Sequence, residues 1–205
     1  AHNDNMPKDV ETALLAEILG DTAEAVDYDI WNGAAGTTGS FAGFTSLFNA
    51  DAEVIMANSG IAPQNAAVTA ANVVAMIELV LGSIPIAIRG KSDLIVGVSP
   101  DVAFFYKQAQ IAAGITNGLG GGPMELRYGT YVITPINGLA PNTLVAYQRS
   151  NLFFGTGLMA DHNEVRIKDM DESTLDGKIR FKMVYTAGVQ YVNGSEIVWL
   201  LTTTA

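Results

Sequence analysis

Apolar positions open the chain at a mostly helical interval. Val10, Leu14, Ile18, Ala25 and Val26 follow Pro7, and Gly33 offers a stop. Proline suits a first helical position, and Asp9 and Glu11 put negative charge at the positive end of the helix dipole. The pattern predicts a helix over 8–32, about 37 Å long, expected to lie along the body like a strut. Gly20 inside it costs about 1 kcal/mol against alanine, so a kink there is expected to be tolerated.

A glycine-rich loop (Gly33, Gly36, Gly39, Gly43) follows, and the stretch Ala50 to Pro63 has no clear type. Val68, Ala71, Val74, Ile77 and Leu81 share one face of a second predicted helix, Gln64 to Leu81. Leu94-Ile95-Val96-Gly97-Val98 is a short, unbroken apolar run, the mark of a strand covered on both faces. Ser99 and Pro100 then read as N-cap and first helical residue of a helix to about Ala113.

From Thr116 onward the period changes to two. Asn117-Gly118, Asn137-Gly138 and Asn193-Gly194 read as tight turns, because both residue types accept positive φ. Strands are predicted at Tyr131 to Thr134, Leu144 to Gln148, Val165 to Lys168, Lys178 to Tyr185 and Ile197 to Leu201, with Phe153-Phe154-Gly155 between them. In Lys178 to Tyr185, Ile179, Phe181, Met183 and Tyr185 alternate with Lys178, Arg180 and Lys182. This order gives an α+β chain. The long helix and the final strands are expected to share one layer, with Ala50 to Ala146 inserted between them.

Composition narrows the function classes. The chain has 205 residues, enough to bury roughly 70% of its unfolded surface without metal or disulfide. It has no cysteine, which excludes a disulfide framework, a thiolate metal site and a thiol nucleophile. With 11 basic against 21 acidic residues the net charge is −10, and no two bases are adjacent, so tight binding to nucleic-acid phosphates is not expected. The best apolar run, Val73 to Ile88, is interrupted by Glu78 and Pro85 and is too short to span a membrane. The opening residues lack the basic-then-apolar order of a signal peptide.

Candidate chemistry is sparse. Gly118-Leu119-Gly120-Gly121-Gly122-Pro123 lacks the Lys-Ser/Thr pair of a phosphate loop and reads as a loop tip. Asp161-His162-Asn163-Glu164 could seed a metal site, but His2 is the only other histidine, and Asp169-Met170-Asp171-Glu172 lacks calcium-loop spacing. Trp31 and Trp199 are read as core rather than as a ligand-stacking pair. Asn193-Gly194-Ser195 matches a glycosylation sequon and is read as a turn. Catalytic, cofactor-binding and metal residues are accordingly expected to be none, with no cofactor.

Asn151-Leu152-Phe153-Phe154-Gly155-Thr156-Gly157, Val165-Arg166-Ile167-Lys168-Asp169-Met170, Lys178-Ile179-Arg180-Phe181-Lys182-Met183 and Ala187-Gly188-Val189-Gln190-Tyr191 together resemble the closing segment of tailed-bacteriophage major capsid proteins. The helix ending Asp29-Ile30-Trp31-Asn32-Gly33, the loop to Phe41-Ala42-Gly43-Phe44 and the Leu94 to Asp101 step fall in that family's order. The resemblance covers about Glu11 to Leu201 and lies in the joint order of soft motifs. It implies the phage major-capsid-protein fold. The peripheral domain would be 1–49 and 147–205, a long helix plus antiparallel sheet, and a compact α/β axial domain would be 50–146. It further implies a non-enzymatic virion subunit made in the bacterial host cytoplasm. Its partners would be copies of itself in pentamers and hexamers enclosing DNA, joined by scaffold or decoration proteins, with no membrane and no sequence-specific nucleic acid. Fewer than ten residues precede the long helix, so the family's N-terminal arm and extended loop are expected to be missing, and with them efficient assembly.

Two other readings stay open at this point. An encapsulin-like nanocompartment shell shares the fold, and neighbouring terminase or cargo genes would separate it from a phage. A small-ligand-binding or enzymatic α+β domain using the Gly118–Gly122 loop would show as a rise in melting temperature with nucleotides or divalent metals.

Overall fold

The computed structural model describes residues 8–37, 39–57, 67–114, 126–157, 165–169, 179–183 and 186–201. Helix α1 spans Lys8–Asn32, matching the expected helix and running unbroken through Gly20. A short helix α2, Phe44–Ala50, follows the glycine loop. The loop's ends are pinned together: Gly33 N–H donates to Asp29 O (2.9 Å) and Gly43 N–H to Gly33 O (2.8 Å). A Cβ on Gly33 would stand 2.2 Å from Phe41 O, so only glycine fits that crossing.

Strand β1 is Ile55–Met56. Helix α3 covers Val73–Ser83; of the predicted stretch before it, 67–72 is coil and turn and Gln64 to Ala66 lies outside the described residues. The delay has a local cause. Asn72 Oδ1 accepts from Thr69 N–H (2.7 Å) and its Nδ2 donates to Ala67 O (3.0 Å), a side-chain turn that competes with helix. The buried face is consequently Val73, Ile77 and Val80, with Val74 exposed. Strand β2, Leu94–Val98, and helix α4, Pro100–Ala112, lie where the sequence put them, with Ala103 N–H bonded to Ser99 O.

Strands β3 (Arg127–Tyr128), β4 (Tyr131–Pro135), β5 (Thr143–Gln148), β6 (Leu152–Thr156), β7 (Val165–Asp169), β8 (Ile179–Met183), β9 (Ala187–Tyr191) and β10 (Val198–Leu201) complete the chain. The main sheet has the order β1-β10-β5-β2-β4-β3. β2 runs antiparallel to β5 and parallel to β4, and the last strand, β10, lies between β1 and β5. Two further ribbons, β6-β9 and β7-β8, are not hydrogen-bonded into it, and Leu152, Val189 and Tyr191 of the first pack against its Trp31 face.

Alternation along the central strands builds two cores, one on each sheet face. Leu144 and Ala146 of β5 and Val198 and Leu200 of β10 join Val73, Ile77, Val80, Val102 and Tyr106 from α3 and α4. Val145 of β5 and Trp199 of β10 join Trp31, Phe44 and Phe48 on the other face. The sheet is therefore covered on both sides, which is why β2 reads as continuous apolar sequence. The architecture is α+β, as expected.

The Asn-Gly dipeptides have a different reason from the one the sequence suggested. Among described residues, positive φ occurs at Gly36, Gly39, Gly114, Gly129 and Asn142, and at neither Gly138 nor Gly194. A Cβ on Gly138 would stand 2.3 Å from Asp27 O, and one on Gly194 would stand 2.6 Å from Asp51 Oδ2. Both glycines permit close approach of another segment. Asn117-Gly118 lies outside the described residues.

Candidate functional site

The two tryptophans are core residues. Trp31 packs on Phe44 (ring centroids 5.2 Å) and Tyr147 (6.0 Å), and Trp199 on Phe48 (6.1 Å), which also meets Tyr191 (5.5 Å). Both are buried, leaving no face for a ligand. The loop Gly118–Gly122, the acidic stretch Asp161 to Glu164, both histidines and residues 170–172 lie outside the described residues. Among the described residues no group of three or more His, Asp or Glu converges to hold a metal. No described helix is long and apolar enough to cross a membrane.

One open groove of about 540 Å³ lies among Glu78, Leu81, Gly82, Arg89 and Tyr128 to Tyr131. Its charged groups are engaged in structure. Arg89 donates through Nε to Ile84 O (2.8 Å) and through Nη2 to Gly82 O (2.7 Å), closing the C-terminus of α3. Tyr128 Oη donates to the Glu78 carboxylate, and that bond, with a smaller contribution from burial, holds the phenol above its ordinary pKa.

Other polar side chains act as clamps between segments. Asn151, buried, donates from Nδ2 to Asn193 O (2.8 Å) and accepts at Oδ1 from Val192 N–H (3.1 Å) and Asn193 N–H (2.9 Å). It ties the entry of β6 to the exit of β9. Tyr191 Oη donates to Asp51 Oδ2 (2.6 Å), whose other oxygen accepts Glu53 N–H (2.9 Å). The phenol's bond lowers the Asp51 pKa; burial first, then the carboxylate, pushes the Tyr191 pKa far up. Asn142, at φ 58°, accepts from Val68 N–H (2.9 Å), while its own N–H donates to Asp101 Oδ2 (2.8 Å). Ser150 Oγ donates to Asp93 Oδ2 (2.6 Å). Sequence reasoning missed these pairs. Asn151 left a trace, at the head of the first segment quoted for the resemblance.

What the surface offers instead is dispersed apolar area. Ile86 (87% exposed) sits in the turn after α3 and Val192 (77%) after β9. Phe104 and Ile111 are exposed on α4, and Phe153 and Phe154 on β6.

No known protein family and no curated protein matches the chain. Solved structures do. A chain from Mycobacterium phage Che8 superposes with a TM-score of 0.56 at 16% identity, covering 96% of this chain and 63% of that one. A chain of the satellite phage P4 procapsid including size determination (Sid) protein superposes with a TM-score of 0.54 at 12% identity, covering 96% of this chain and 68% of that one. This chain thus spans less than two thirds of the Che8 chain's length. At these identities the likeness establishes the fold, which is that of phage capsid-related structures.

Proposed function

We propose that this chain is the structural subunit of a tailed-phage or prophage icosahedral capsid, assembling with copies of itself into pentamers and hexamers that enclose DNA, and that it has no catalytic role. The observation that carries the reading is the superposition of 96% of the chain on a procapsid structure. The surface supports it: apolar side chains are exposed on α4, β6 and two turns, and no described polar cluster is arranged for chemistry. A shell subunit needs several moderate contacts, each burying about 1,200–2,000 Å², in place of one deep site. Contacts that close by rotation give rings, and rings tile a shell.

In this reading 1–49 and 147–205 form the peripheral domain and 50–146 the axial domain, aimed at ring centres. The first core is built mainly from the axial segment, on α3, β2, α4 and β5, joined by Val198 and Leu200 of β10. The second gathers Trp31, Phe44, Phe48, Ile197 and Trp199 together with Val54, Leu139 and Val145 from 50–146, so β5 and β10 would be the strands that join the domains. The virion capsid is then the site of action, scaffold or decoration proteins are further partners, and the acidic balance lets packaged DNA move against the wall.

Expression of the complete reading frame in bacteria, with negative-stain microscopy of the cleared lysate, tests this. Closed isometric particles are expected. Material that stays monomeric at high concentration, or takes up a nucleotide or metal with a gain of several degrees in Tm, would refute it.

A further inference from the structure

Four Asn-Gly dipeptides stand in the chain, and the structure describes three of them: Asn32-Gly33, Asn137-Gly138 and Asn193-Gly194. A glycine leaves the backbone nitrogen after an asparagine unshielded by any side chain, so that nitrogen can attack the asparagine's own side-chain carbonyl. Whether it does depends on how firmly the side chain and the following N–H are held. The three sites differ in that respect.

Asn32 is held. Its Nδ2 donates to Gly138 O and to Tyr28 O (3.4 Å), and Gly33 N–H is occupied by Asp29 O (2.9 Å). Asn193 is held too. Its Oδ1 accepts from Ser195 N–H (3.2 Å) and Ser195 Oγ (2.8 Å), and its ψ of 107° keeps Gly194 N on the far side of the Cα–C bond from Cβ. Asn137 is exposed, and no hydrogen bond among the described residues engages its side chain. With Gly138 it forms the centre of the β4-β5 turn, closed by Leu139 N–H to Ile136 O (3.3 Å). Neither central residue has positive φ, so the turn is type I, with ψ of about −30° at Asn137. The Gly138 N–H meets no acceptor among the described residues. A smaller rotation than at Asn193 brings it to its neighbour's Cβ side.

Gly138 is also the point at which the turn touches α1. A Cβ there would stand 2.3 Å from Asp27 O and 2.9 Å from Trp31 Cδ1, and Gly138 O accepts the bond from Asn32. The backbone at this crossing has no room to lengthen. The last two turns of α1 carry Asp27 and Asp29 and no base, and negative charge is unfavourable at a helix C-terminus.

We propose that Asn137 is a self-modification site: in the folded protein it converts spontaneously to aspartate and isoaspartate, and the conversion loosens the end of α1 from the β4-β5 turn. Hydroxide removes the Gly138 N–H proton and the nitrogen bonds to Asn137 Cγ. The Cγ–Nδ2 bond breaks, and Nδ2 leaves as ammonia after taking a proton from water. Water then opens the cyclic imide at either carbonyl. Opening at Cγ leaves aspartate. Opening at the backbone carbonyl leaves isoaspartate, whose main chain is one methylene longer. Both products add a carboxylate to the turn that seats the acidic end of α1, and the longer one also displaces Gly138 from its fit against Asp27 and Trp31. The site stands independently of the shell-subunit reading.

The test keeps the unaltered 205-residue chain and N137Q folded in mildly alkaline buffer for days, then maps both by peptide mass spectrometry with isoaspartate-specific methylation. Glutamine would have to close a larger ring, which is far slower, and N137Q removes no hydrogen bond made by the side chain. In the folded chain Asn137 is expected to convert roughly tenfold faster than Asn193 or more, because Asn193 must first break two hydrogen bonds. Asn32 should lag likewise. In concentrated urea all three should convert at comparable rates. The aged unaltered chain should melt a few degrees below the fresh one, and aged N137Q should not. Asn117-Gly118, outside the described residues, is present in both proteins, so conversion there cancels in the comparison. Three results would each overturn the proposal: Asn137 converting no faster than Asn193 in the folded chain, a gap that persists in urea, or equal melting losses in the two aged proteins.

Discussion

Gly138→Ala sets two opposed effects against each other, and their sizes decide the outcome. Where the backbone is compatible, Gly→Ala stabilises by about 0.4–1 kcal/mol because the unfolded chain loses freedom. Gly138 has no positive φ, so this gain applies. Against it, the new Cβ would stand 2.3 Å from Asp27 O and 2.9 Å from Trp31 Cδ1, more than 1 Å too close to the first. The end of α1 must then retreat from the β4-β5 turn. Overpacking of this kind costs about 1–3 kcal/mol. The retreat also strains the bond from Asn32 Nδ2 to Gly138 O, worth about 0.5–1.5 kcal/mol. It loosens Trp31 against Phe44 and Tyr147 as well. The net expectation is a loss of about 1–3 kcal/mol, or roughly 2–12 °C in Tm for a chain of this size. Urea unfolding followed by tryptophan fluorescence reads it, because Trp31 and Trp199 are the only two tryptophans and both are buried. Gly20→Ala is the control. Its Cβ meets nothing within 4 Å and it lies inside α1, so it should stabilise by up to about 1 kcal/mol. A Gly138→Ala midpoint equal to or above that of the unaltered chain would show that α1 does not seat on the β4-β5 turn as described.

Asn151→Ala removes a donor and an acceptor serving three backbone groups, and should cost about 2–4 kcal/mol in urea unfolding at unchanged m. A loss under 0.5 kcal/mol would mean that water replaces the clamp. Stability should also fall at both pH extremes. The lowered Asp51 pKa gives stability that is present above its unfolded value near 3.8 and lost as pH drops through the folded one. The raised Tyr191 pKa gives stability that is present below about 10 and lost as pH rises beyond it, with Tyr147 and Tyr106 adding through burial. Tyr191→Phe should therefore flatten both limbs of a Tm–pH curve, and unchanged limbs would remove the pair from the account. Ile86→Asp alters an 87% exposed side chain, so monomer stability should move by less than about 0.5 kcal/mol while particle yield drops if that turn is a contact face.

Much of the fold is legible in the chain because its signals are local. The start predicted for α1 matches its first described residue, Lys8, and Ser99-Pro100 starts α4. Helix α2 left little signal. It has seven residues, its Gly43 N-cap makes no side-chain bond, and it is held by tertiary contacts of Phe44 and Phe48 with Trp31, Tyr191 and Trp199. Sheet order was equally hidden, since β2 separates β4 from β5 and β10 closes on β1 from more than 140 residues away. The glycines show the limit most clearly. Gly138 does lie in the turn the sequence marks, but that this turn must admit Asp27, and Gly194 Asp51, shows only once those segments are in place. Asn151 stood at the head of a segment quoted for the resemblance, though its role as a clamp depends on a residue 42 positions away.

The most direct measurement of the central claim is a cryo-electron microscopy reconstruction of particles made from the complete reading frame, with each element located relative to the symmetry axes. The account predicts closed shells in which residues 50–146 converge on the five- and six-fold centres, while α1 lies farther from those axes. Monomers without a lattice, or particles in which residues 50–146 face away from every axis, would contradict it.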